Sequence, residues 1–114
     1  MAIADSHFLL ANARIVDFPV VYCNEGLCQL SGFERSELMQ KPAVCSAMHG
    51  EQTSPECIAR FHNAMEQQIS DQFEIQLYKK NSNTSFVVKC RVYIQPVSSA
   101  NTTYIFVSTT CKLR

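Results

Sequence analysis

No stretch of this chain approaches the ~20 consecutive apolar residues that a membrane span needs. Its opening Met-Ala-Ile-Ala-Asp has neither the basic lead nor the apolar run of a secretory signal. Net charge is also absent: ten basic residues balance ten acidic ones. That balance gives no electrostatic case for nucleic acid or for an anionic membrane surface. There is no low-complexity tract, internal repeat or linker. The motifs of chemistry are missing as well, with no nucleophile elbow, phosphate loop, Cys-x-x-Cys or recognisable acid–base pair. Glu34 and Glu37 read as solvent-facing residues of a short polar helix. The chain is not read as an enzyme, and no cofactor is assigned.

What is present suits one ordinary domain. The chain has 114 residues, 46% hydrophobic and 18% charged, enough for a single core and little more. Six cysteines (Cys23, Cys28, Cys45, Cys57, Cys90 and Cys111) raise the question of a disulfide framework. A core of this size needs no staples and nothing marks secretion, so they read as reduced thiols acting mostly as small apolar side chains. The sequons at Asn83-Thr84-Ser85 and Asn101-Thr102-Thr103 are then idle.

Two periodicities divide the chain. Phe8 to Ala13 and Val20 to Cys23 are short apolar runs with strand composition. Leu27 to Leu30 suggests a small helix closed by Ser31-Gly32, and a second spans Arg35 to Gln40, before Pro42. Ser54-Pro55 is a helix start, and Ile58, Phe61, Met65 and Ile69 follow as one apolar stripe that packs on a sheet. Period-two alternation then takes over: Phe73, Ile75 and Leu77; Phe86, Val88, Cys90, Val92 and Ile94, ended by Pro96; and Ile105, Val107 and Thr109. Polar turns at Lys79–Thr84 and Ser98–Asn101 separate these runs, which predicts an antiparallel meander. The class is α+β, with short helices and one longer helix packed on one face of the sheet. Tyr104 and Phe106 oppose the inward set, and Phe8 and Leu10 share a face. The open side of the sheet therefore carries apolar side chains that need a cover.

Ala11-Asn12-Ala13, Val21-Tyr22-Cys23-Asn24, Leu30-Ser31-Gly32-Phe33, Glu37-Leu38-Met39-Gln40, the run from Cys45 to Gly50 and Glu74 through Lys80 carry a resemblance. Together they resemble the PAS domain of the EAG/ERG/ELK voltage-gated potassium channels, over about residues 7 to 111. Ile15 to Pro19 looks closer to the EAG and ELK branches than to ERG, with ELK favoured. The resemblance implies a PAS fold with a five-stranded antiparallel sheet, at the cytoplasmic face of the plasma membrane within an integral membrane channel. It implies docking on the C-terminal cyclic-nucleotide-binding homology domain of the same channel, within a tetramer, and modulation of gating, especially deactivation. No nucleic acid partner and no direct membrane insertion of the domain are implied. Residues 1–6 read as a leader or remnant of the family's N-terminal cap, and 7–114 as the PAS domain. Docking needs an apolar centre with polar anchors. Phe8, Leu10 and Tyr22 are the apolar candidates; Asn12 and Arg35 are the polar ones.

A more distant likeness is to the light-oxygen-voltage flavoproteins, in which a cysteine on a short helix adds to flavin. Cys45 stands at that place. The strand positions that supply amides to the ring there correspond here to Leu77, Val88 and Thr109, two of which offer no hydrogen bond. Cys45, Leu77, Val88 and Thr109 are thus expected to line a cavity suited at most to a small apolar ligand. Such a ligand sensor, or a redox sensor using Cys23, Cys28 or Cys45, is the alternative reading. Cys45 with His49, and Cys57 with His62, match no usual zinc spacing.

Overall fold

A computed structural model describes residues 7–97 and 102–111. Five strands form one antiparallel sheet in the order β2-β1-β5-β4-β3. They are β1 (His7–Asn12), β2 (Val20–Cys23), β3 (Asp71–Tyr78), β4 (Ser85–Val97) and β5 (Thr102–Cys111). Alternation decides which side chains go inward. Leu9 and Ala11 of β1, Phe73 and Ile75 of β3, Val88, Cys90 and Val92 of β4, and Ile105, Val107 and Thr109 of β5 are all buried. The expected turn at 98–101, with Asn101 of the second sequon, and the expected leader at 1–6 lie outside the described residues, whereas Thr102 and Thr103 open β5.

Three helices cover the buried face. Asn24 caps α1 (Glu25–Ser31) by accepting from the Leu27 N–H at 3.0 Å, and the left-handed Gly32 (φ 79) closes it. A reciprocal capping box, Glu34 with Glu37, opens α2 (Arg35–Leu38). Ser54 and Pro55 start α3 (Pro55–Gln67). Leu27, Leu38, Phe61, Ala64 and Met65 from these helices, with Met48 from a single 3-10 turn, fill the core against the sheet.

Three local expectations change. The stripe of α3 stops at Met65. Gln68 turns left-handed (φ 54), the Ile69 N–H reaches back to the Ala64 carbonyl, and Ile69 is left exposed. The second small helix ends at Leu38 rather than Gln40, because Gln40 and Lys41 exchange backbone hydrogen bonds with Val20. Pro96 does not end β4, which runs to Val97. Pro96 faces Thr103, whose carbonyl turns toward Ala13, so Pro96 points its own backbone away from β5. On that side β3 pairs no further than Val92, and the missing N–H loses no partner.

The β3 edge is closed by side chains. Its alternate carbonyls at Gln72, Glu74 and Gln76 accept from Arg60 Nη2 (3.1 Å), Cys57 Sγ (3.1 Å) and Thr53 Oγ1 (2.7 Å). The helical spacing of Cys57 and Arg60 on α3, with Thr53 just before the helix, thereby matches the two-residue repeat of the strand. An edge satisfied in this way does not invite another strand.

Candidate functional site

The face of the sheet opposite the helices carries an aromatic band. Across the strands, Tyr22 pairs with Leu10, Leu10 with Phe106, and Phe106 with Tyr93. Phe8 stacks on Phe106 with centroids 5.1 Å apart and 25° between planes, and lies 5.9 Å from Tyr22. Tyr93 lies 6.2 Å from Phe106. These rings shield one another only in part. Phe8, Leu10, Tyr104 and Phe106 are half-buried, while Tyr22 and Tyr93 are 44% and 42% exposed. The strip is left uncovered among the described residues.

Polar groups frame the band. Arg35 places its guanidinium 5.9 Å from the Tyr22 ring centroid and donates from Nε to the Cys23 carbonyl at 3.0 Å. Its outer nitrogen stands 3.7 Å from Glu25, in an exposed pair with little hold on either charge. Arg35 is thus anchored at one nitrogen and available at the others. Arg91 and Lys89 continue the cationic margin on β4 and are matched across the strands by Ser108 and Thr110. Asn24 fixes one end of the band, since its side chain accepts from the Phe8 N–H at 3.0 Å as well as capping α1.

Of the five residues expected to dock a partner, Phe8, Leu10, Tyr22 and Arg35 come together here. Asn12 shares the face, opposite Tyr104, but its side-chain oxygen accepts from the Arg14 N–H at 2.8 Å and serves the β1–β2 turn. Tyr93 and Phe106 complete the band and were not among the five. Alternation along β4 and β5 carries the signal for both; only strand order shows that they meet Leu10 and Phe8.

The other expected site is an apolar cavity of about 30 Å³ between sheet and helices. Cys45, Leu77 and Thr109 line it with Leu9, Phe61 and Val107. Val88, the fourth expected lining residue, is instead fully buried among the strands. The space suits on the order of two waters. Small-molecule sites run from roughly 300 to 1,000 Å³. Cys45 adopts a left-handed backbone (φ 56), and burial pushes its thiol up to about 12, as it does that of Cys90. Thr109 spends its hydroxyl on the His7 carbonyl at 3.2 Å.

The remaining sulfur and imidazole groups diverge. His49 Nε2 donates to the Val44 carbonyl at 3.0 Å, and Cys57 donates to Glu74. Among the described residues, no three His, Cys, Asp or Glu side chains are grouped to hold a metal ion. Glu37 pairs with Lys80 at 2.5 Å, which holds its carboxyl below the ordinary range. No described helix is long and apolar enough to cross a membrane.

Comparison with known proteins agrees with this architecture. Residues 8–112 match the family model described as PAS domain. The potassium voltage-gated channel protein eag of Drosophila melanogaster is 58% identical over 80 residues, covering 68% of this chain and 7% of its own length. The human voltage-gated delayed rectifier potassium channel KCNH1 is 48% identical over 77 residues, covering 68% of this chain and 8% of its own. The chain thus spans 7–8% of the length of these relatives. The crystal structure of the PAS domain from the fruit-fly ELK potassium channel superposes with a TM-score of 0.89 at 23% identity, over 98% of this chain and 90% of that one. A light-oxygen-voltage domain superposes with a TM-score of 0.84 at 19% identity, over 97% of this chain and 80% of that one. These two likenesses establish the fold alone; the sequence identity lies with EAG-type channels.

Proposed function

The chain belongs to the PAS domain family, and from that membership we propose that it is a regulatory docking module of a voltage-gated potassium channel. It seats on the C-terminal cyclic-nucleotide-binding homology domain of the same channel, at the cytoplasmic face of the tetramer, and modulates gating through deactivation. Identity to eag and KCNH1 supports the channel context. The observation that carries the docking reading is the aromatic band of Phe8, Leu10, Tyr22, Phe106 and Tyr93 on the sheet face opposite the helices.

The chemistry of the band describes its partner. A surface that buries the rings needs an apolar centre of its own, and a carboxylate beside Arg35 would gain a charge-assisted hydrogen bond. The ligand-sensor alternative finds little support in a cavity of about 30 Å³.

Calorimetric titration of the domain with the purified homology domain tests the reading. Saturable binding is expected, weakened by ~1 kcal/mol or more, about fivefold, in Tyr93→Ala and Arg35→Ala. Both side chains are substantially exposed, so circular dichroism should show an unchanged fold. No saturable heat from a folded domain, or wild-type affinity in both variants, would refute it.

A further inference from the structure

Cys23 and Cys28 stand apart from the other thiols because their sulfurs touch. They lie 3.9 Å apart in hydrogen-bond contact, at the end of β2 and in the middle of α1. Both are free. Cys23 is fully buried, whereas Cys28 is half-buried and borders a surface groove of about 440 Å³ with Gln29, Phe33 and Arg35. One sulfur is therefore reachable from solvent, and its partner waits behind it. This is the arrangement of an attacking and a resolving cysteine.

We propose that Cys23 and Cys28 form an oxidisable pair that a peroxide closes to a disulfide, tying β2 to α1. The Cys28 thiolate attacks one peroxide oxygen, forming an S–O bond as the O–O bond breaks. The released hydroxide takes up a proton and leaves as water. The Cys23 sulfur gives up its proton and attacks the Cys28 sulfur, expelling a second hydroxide that leaves as water. Two thiols lose two electrons and one hydrogen peroxide becomes two waters.

The pair closes slowly. Burial, then the neighbouring Cys23, pushes the Cys28 thiol up to about 11. At neutral pH the thiolate is scarce, and the rate climbs about tenfold per pH unit below the thiol's pKa. The pair records sustained oxidation, not a brief pulse. Its position also bears on the proposed docking face, since Cys23 follows Tyr22 and its carbonyl holds Arg35. Any effect on partner affinity rests on the docking reading; the disulfide itself does not.

The test treats the domain with hydrogen peroxide at a series of pH values, blocks remaining thiols by alkylation, and maps the products by mass spectrometry. A Cys23–Cys28 link is expected, as a loss of about 2 Da reversed by dithiothreitol, forming about tenfold faster for each unit of pH. Cys28→Ser and Cys23→Ala should each abolish that species, and Cys57→Ser should keep it. Cys28→Ser changes only a half-buried residue, so the test survives if Cys23→Ala fails to fold. Cys28 accumulating as sulfinic acid beside a free Cys23, or a link between other cysteines, would overturn the proposal. Titration of the linked form against the homology domain separates the two claims: a formed disulfide with unchanged affinity removes only the effect on docking.

Discussion

Replacing Thr53 by valine keeps the outline of the side chain and removes one oxygen. That oxygen holds two segments together. It donates to the Gln76 carbonyl on the β3 edge at 2.7 Å and accepts from the Gly50 N–H at 2.9 Å. Thr53 is 5% exposed, so water does not readily replace it. Each neutral hydrogen bond contributes ~1 kcal/mol net, and a partner left buried and unmatched costs more. Gln76 and Gly50 retain some solvent access, which limits the second contribution. The expected loss is ~2 kcal/mol, or a melting point lower by roughly 10 °C in a domain of this size. Thr53→Ser keeps the hydroxyl, deletes a methyl and should lose about 1 kcal/mol or less. Urea unfolding followed by circular dichroism measures both. If Thr53→Val is as stable as the parent, or if serine costs as much as valine, the hydroxyl is not what secures this edge.

Two further outcomes follow from local geometry. Gly32→Ala should cost ~1 kcal/mol in the same unfolding assay, because residue 32 sits at φ 79 to close α1. The added methyl would meet Lys80 at 3.6 Å, an ordinary van der Waals contact, so a cost near zero would show that the left-handed backbone carries no penalty here. Burial holds the His49 imidazole below its ordinary value of 6.5, against the opposing pull of the Val44 carbonyl. The unfolded chain then binds its proton at higher pH than the folded one, so stability should fall as pH drops through 6.5 and level off below the depressed value. His49→Asn should flatten that slope; an unchanged slope would assign it to another group.

Much of the site was legible because it rests on local rules. Period two in β1, β4 and β5 placed Leu9, Val92 and Val107 inward, and hence Phe8, Tyr93 and Phe106 outward. Ser54-Pro55 and Ser31-Gly32 marked helix ends through backbone preferences that operate without tertiary context. Expectations failed where a distant backbone competed. Gln40 leaves the helix because the Val20 carbonyl offers its N–H a partner, and Pro96 is tolerated because β3 has already ended. The family resemblance marks Asn12 as a polar anchor, and the structure adds that its side-chain oxygen also serves the turn two residues on.

By itself the sequence determined the alternation, the caps, the neutral charge balance and the PAS family, all written in neighbouring residues. The tertiary structure decided which outward rings meet. The order β2-β1-β5-β4-β3 sets the last strand between the first and the fourth, joining Tyr22, Leu10, Phe106 and Tyr93 into one band. It also decided the size of the cavity and the contact of Cys23 with Cys28. Such distances depend on how layers pack, and side-chain volumes summed across five strands and three helices are not a property of any local run.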